Sequence, residues 1–279
     1  MSRVAVVTDS TAYLPSSQAA AAHVTVVPVQ VVVGGQTLDE TEVSSADIAQ
    51  ALREWRPIST SRPSPSAFVE AYQQLALSGA EEIVSIHLSG AMSATVESAE
   101  LAAKEVSTPV HVVDSRSIGM GLGFPVLAAA QAAAGGADVA TVEGIARRRS
   151  ASASVLFYVD TLEYLRRGGR IGKAAALVGS ALSVKPLLHL VDGHVTPLEK
   201  VRTTSKALSR LGELAVERVG EGAADVAVQH LANPDRAYTL AARIQEAAGD
   251  SVAVTVGEVG AVVGAHVGPG MIAVAVCPR

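Results

Sequence analysis

Short runs of β-branched residues alternate with alanine-rich amphipathic segments along the first half of this chain. That rhythm narrows the fold more than any other feature. Residues 4–8, 24–33, 83–87 and 110–113 read as strands, and 45–55, 66–77, 91–104 and 126–134 as helices. Ser16, Ser44 and Ser64 are placed to cap helix N-termini, with Pro65 suited to a first helical turn. Strands separated by helices pair in parallel, and a parallel sheet is covered on both faces.

The second half changes rhythm. Residues 154–159 read as a strand, and 184–190 with 194–198 as a hairpin closed by Asp192-Gly193. Helices are expected at 204–219 and 234–247, and strands at 225–230, 252–256 and 271–276. A hairpin followed by α/β units implies a mixed sheet. The expectation is therefore an α/β protein of two α/β domains, 1–150 with a mostly parallel sheet and 151–279 with a mixed one.

The core has to be built from small side chains, because the chain is 49% apolar but only 3% aromatic. Net charge is −5 and no lysine-rich run occurs, which argues against a nucleic-acid partner. Cys277 is the only cysteine, so no internal disulfide forms, and a reduced, cytoplasmic setting is expected. The apolar start at 4–7 is too short for a signal-peptide core. The uncharged stretch 117–137 is rich in glycine and alanine and contains Pro125, which fits a buried helix better than a membrane span.

Several chemistries lack their signatures. Gly168 to Gly172 encloses three residues where a phosphate loop needs four, and Ala174 follows Lys173 where a hydroxyl belongs. Phe124 stands where a dinucleotide fingerprint needs its third glycine. Ser93 lies between Met92 and Ala94 rather than in a nucleophile elbow. His189 and His194 have no cysteine or carboxylate cluster beside them to complete a metal site, so none is expected.

Five polar segments remain. Arg167-Gly168-Gly169-Arg170 sets a guanidinium on a tight turn, suited to a carboxylate or phosphate; as a helix end, it would place Gly168 in the left-handed position. Thr8-Asp9-Ser10-Thr11 follows the first strand, where either ligand binding or a helix cap fits. Ser59-Thr60-Ser61 precedes Arg62-Pro63, which holds the hydroxyls on an extended loop. Ser93 falls at the start of a helix, where free N–H groups favour an anion, with Ser89 as an alternative simple cap. His266 is flanked by Gly264 and Gly268, which suggests a tight turn and a donor for a bound acid.

In their order and spacing these segments resemble the DegV family, which includes the fatty-acid-binding subunits of bacterial fatty acid kinase. The resemblance runs from Thr8-Asp9-Ser10-Thr11 through Ser59-Thr60-Ser61, Ser85-Ile86-His87-Leu88-Ser89, Gly168-Gly169-Arg170-Ile171, Val184-Lys185-Pro186 and Val201-Arg202-Thr203 to His266-Val267-Gly268-Pro269-Gly270. It implies one long-chain fatty acid, such as palmitate, in a tunnel between two domains, and no other cofactor. Thr60, Ser93 and His266 match the carboxylate ligands, Arg170 the head-group arginine, and Ser61 a neighbour of the site. Arg202 matches a residue that docks the catalytic subunit of the kinase. On this reading the chain is not an enzyme. It presents the acid for acyl-phosphate formation and touches membrane transiently for lipid exchange. Two departures stand out: Arg62 replaces a usual glutamine, and Ala94 a usual glycine. The competing readings are a hydrolase using Ser93, His266 and Asp9, and a lipid-responsive sensor.

Overall fold

A computed structural model describes residues 4–177 and 185–279. The chain divides into two compact units, one of residues 1–30 and 61–152, the other of 31–60 and 153–279.

The first unit is built on a four-stranded sheet of β1 (Val4–Asp9), β2 (Val24–Val27), β6 (Glu82–His87) and β7 (Val110–Asp114), in the order β2-β1-β6-β7. Every pairing in it is parallel, with Val6 opposite Val24 and Val84. Side chains alternate between faces. Val6, Val84 and Ile86 pack against α5 (Met120–Ala134) and α6 (Val139–Ser152), while Val7 and Ile83 pack against α3 (Pro65–Leu77) and α4 (Thr95–Ala103). This is the doubly covered parallel sheet that the alternation implies. The uncharged stretch becomes α5, buried in this core, and no helix among the described residues is long and apolar enough to cross a membrane.

Local signals explain some of the helix starts. Ser44 accepts from the Asp47 amide at 3.1 Å to start α2 (Ser45–Arg53), and Ser64 accepts from the Ala67 amide at 3.3 Å, with Pro65 opening α3. Ser16 is not a cap: it lies inside α1 (Ser16–Ala21), whose capping position is Pro15. The strand expected over 24–33 breaks at Pro28, which cannot donate to a ladder, leaving β2 and β3 (Gln30–Val33).

The second unit has a six-stranded mixed sheet in the order β10-β9-β8-β13-β11-β12. Its strands are β8 (Ser154–Tyr158), β9 (Lys185–Val191), β10 (His194–Val201), β11 (Ala224–His230), β12 (Val252–Glu258) and β13 (Ile272–Pro278). The pairing of β11 with β12 is parallel and those of the other neighbouring strands are antiparallel, and Asp192 and Gly193 turn the β9–β10 hairpin with φ of 49° and 78°. Val184, where that hairpin was expected to begin, lies outside the described residues. Apolar residues of α8 (Thr204–Val219) and α9 (Pro234–Ala248) close one face.

Residues 31–60 group with residues 153–279 in the second unit. They carry a small sheet, β4 (Gln36–Asp39), β3 and β5 (Ile58–Ser61), together with α2. Long-range bonds tie them to α10 (Ala261–Val267). The buried Glu40 carboxylate accepts from the Val262 amide at 2.8 Å, and Ser45 donates to the Val259 carbonyl at 2.9 Å. Gly264 lets Ile48 and Leu231 close on that helix. The chain around His266 is thus helical rather than a tight turn.

Candidate functional site

The second unit contains a cavity of about 430 Å³, within the size range of small-molecule sites. Its wall includes Trp55, Ile58, Thr60, Tyr164, Gly168, Arg170 and His266. Three segments far apart in sequence supply these groups.

Thr60 stands on β5, so the hydroxyl-dense segment is a short strand rather than a loop. Its Oγ1 lies 2.9 Å from Nε2 of His266 on α10. The imidazole Nδ1 is buried and has no hydrogen-bond partner among the described residues. Burial, with the nearby Arg170 charge adding to it, pushes the His266 pKa down to about 4. At neutral pH the ring is uncharged.

The Gly-Gly-Arg turn ends α7 (Glu163–Arg167). The Gly169 amide bonds to the Arg166 carbonyl and the Arg170 amide to the Leu165 carbonyl, the pattern of a Schellman cap. The left-handed residue is Gly169, with φ of 70°, and not Gly168, whose φ is −72°. Arg170 Nη1 donates to the Gly168 carbonyl at 2.7 Å, clamping the turn.

An aromatic and cationic rim adjoins the Thr60–His266 pair. Trp55 stacks on Tyr164 with centroids 5.9 Å apart, and the Arg167 guanidinium lies 4.4 Å from the Trp55 ring centre. Glu163 holds both Arg166 and Arg167, and these hydrogen bonds draw its pKa down to about 2. Trp55 adopts φ of 56°, an unfavourable conformation for a bulky residue, at the end of α2. The stacking and cation–π contacts help hold it there. Sequence reading missed this rim, although Trp55 is the only tryptophan in the chain.

The remaining predicted residues have these local surroundings. Ser61 is exposed, its hydroxyl only 3.4 Å from the Arg62 carbonyl. Ser93 belongs to the first unit, in the turn before α4, where its hydroxyl lies 2.9 Å from that of Thr95. Ala94 caps α4 without a side-chain bond, while Ser89 accepts from the Ala91 amide and so caps the turn instead. Arg62 bonds the Ala94 carbonyl and Glu97, both at 3.3 Å. Arg202 is exposed just before α8, without an ion-pair partner among the described residues.

Asp9 resolves in favour of structure. Its carboxylate accepts from the Thr11 and Leu88 amides and lies 3.0 Å from His87 Nδ1, with every partner buried. His87 Nε2 continues to Ser85, and Ser85 to Tyr72. Asp9 is thus bonded within this buried chain, and the Nε2 of His266 faces Thr60. No group of three or more metal-ligating side chains occurs among the described residues.

A family model described as "Uncharacterised protein, DegV family" matches residues 3–279. A DegV domain-containing protein of Streptomyces coelicolor is 53% identical over 281 residues, covering 100% of both chains. A fatty-acid-binding DegV family protein from Thermus thermophilus superposes with a TM-score of 0.93 at 33% identity, over 100% of both chains. DegV from Bacillus subtilis, a fatty acid binding protein, superposes with a TM-score of 0.91 at 30% identity, again over 100% of both. With its parallel and mixed sheets and its whole-length likeness to these relatives, the chain belongs to the DegV family.

Proposed function

We propose that this protein binds one long-chain fatty acid and offers its carboxylate to a separate ATP-dependent kinase subunit. The observation that carries the reading is the Thr60–His266 pair on the wall of the second unit's cavity, next to Arg170. Burying a sixteen-carbon chain at ~0.8 kcal/mol per methylene supplies roughly 12 kcal/mol of gross driving force. Lost chain and rigid-body freedom offset part of it. A carboxylate taken along unpaired would cost several kcal/mol, so the cavity needs donors where the head group lies. A hydroxyl and a neutral imidazole meet that need and leave the carboxylate basic enough to attack phosphorus.

The fatty-acid ligand is supported by the Thermus thermophilus and Bacillus subtilis relatives. Ser93 and Ser61 enter as further head-group ligands through the family resemblance. The kinase step also rests on that resemblance: a carboxylate oxygen attacks the γ-phosphorus of ATP, forming acyl phosphate and releasing ADP. Arg202, exposed before α8, is the proposed docking residue.

Denaturing the purified protein and analysing the released lipid by mass spectrometry tests the ligand. One long-chain fatty acid per chain is expected, and palmitate titration should weaken in both Thr60→Ala and Ser93→Ala. Protein that carries no lipid and takes up no palmitate would end the reading.

A further inference from the structure

We propose that Gly168 is a positioning residue of this site. Its bare Cα seats one edge of the His266 ring, selecting the tautomer in which Nε2–H donates to Thr60 and the Thr60 hydroxyl proton is left for a bound acid.

Backbone conformation does not require this glycine. Gly168 has φ −72° and ψ −8°, which any residue adopts, and the left-handed position of the turn is filled by Gly169. What Gly168 provides is space. A Cβ built there would overlap Nδ1 of His266 and stand only 2.8 Å from Cε1 and 3.2 Å from Cγ. The backbone cannot easily retreat, since its amide bonds to the Tyr164 carbonyl at 2.9 Å and its carbonyl accepts from Arg170 at 2.7 Å. The ring would have to move, and the 2.9 Å contact with Thr60 would move with it.

The same packing decides where the ring proton sits. A neutral imidazole carries its proton on one nitrogen. On Nδ1 it would be a buried donor without a partner, pressed against the Gly168 methylene, and unmade donors are costly. On Nε2 it is satisfied by Thr60 Oγ1. Nδ1 then turns only a lone pair toward Gly168 C–H, a weakly favourable contact. Thr60, accepting from the imidazole, keeps its own proton to donate into the cavity, and such chained hydrogen bonds strengthen one another. Burial and the Arg170 charge favour the neutral ring throughout. The ligand class is a carboxylic acid head group, and in this the inference rests on the function proposed above.

Two measurements test it. Long-range ¹H–¹⁵N correlation on histidine-labelled protein without ligand should report the Nε2–H tautomer for His266 at pH 7. An Nδ1–H signal would overturn the proposal, and this holds whether or not palmitate binds. A failure of palmitate binding in the unaltered protein would instead count against the fatty-acid reading. In palmitate titrations, Gly168→Ala should weaken binding by about ten-fold or more. In the His266→Ala background, where the ring is gone, it should weaken binding by less than about two-fold, since residues acting through one another are not additive. Equal losses in both backgrounds would overturn the proposal. Should Gly168→Ala fail to fold, His266→Gln decides the matter: its carboxamide N–H replaces the Nε2 donor, so palmitate binding should survive in it and fall in His266→Ala. Equal losses in those two variants would overturn it as well.

Discussion

Acidification should unfold this protein partly through His266. The folded ring titrates near about 4, driven down first by burial and then by Arg170, whereas a histidine in an unfolded chain titrates near 6.5. Above pH 6.5 both states hold a neutral ring, and the group does not make stability depend on pH. Between 6.5 and about 4 the unfolded chain binds a proton that the folded one refuses, so stability falls as the pH falls. Each pH unit is worth about 1.4 kcal/mol, which makes the whole window worth roughly 3 kcal/mol. Carboxylates also titrate at its lower end, so the comparison needs a variant that cancels them. His266→Gln keeps similar bulk and a donor but cannot gain the proton. Urea unfolding of both proteins at pH 7, 6, 5 and 4 should show the unaltered protein losing roughly 3 kcal/mol more than the variant across the series. Curves that stay parallel down to pH 4 would refute the argument, because they would mean that the ring charges in place without cost.

Other outcomes follow from single contacts. Gly169→Ala forces a side chain into φ of 70° and should lower the stability in urea by about 1–2 kcal/mol. Tyr72→Phe removes one end of the buried Tyr72–Ser85–His87–Asp9 chain and should cost about 1 kcal/mol in the same assay, with the fold retained by circular dichroism. Arg202→Glu should leave palmitate affinity unchanged while slowing acyl-phosphate formation when the kinase subunit and ATP are supplied.

Element type was largely legible in the chain because it is set locally. The β-branched runs, the serine caps at 44 and 64, and the Asp-Gly hairpin turn each act within a few residues. What could not be read depends on contacts far along the chain. Residues 31–60 contain no signal that they belong with the second half, since their partners are Val259, Val262 and Gly264, more than two hundred residues away. The helix carrying His266 was missed for a similar reason: its amide start is served by Glu40 rather than by a local cap. Within the candidate site, Arg170 and His266 stand out by residue type and Thr60 only through the family resemblance, while the packing that joins them does not show in the sequence. The Gly168-Gly169 pair looked like one turn signal, yet the two glycines answer different demands, one for space and one for a dihedral.

That division bears on how an acid could be held and still react. A carboxylate gripped by a guanidinium fork is bound tightly, but its oxygens are made less basic and so poorer nucleophiles. Here the arginine nearest the histidine spends a donor on the Gly168 carbonyl, and its charge helps keep His266 neutral. On the tautomer proposed above, the imidazole is a hydrogen-bond donor rather than a counter-ion, and Thr60 is the group that meets the acid. For the fatty-acid reading this makes Arg170 an indirect actor. Replacing it by lysine would preserve the positive charge while losing the guanidinium geometry, and replacing it by methionine would lose both. If its charge matters chiefly through the ring, His266 should titrate higher in Arg170→Met than in Arg170→Lys, with palmitate affinity following the ring's protonation state.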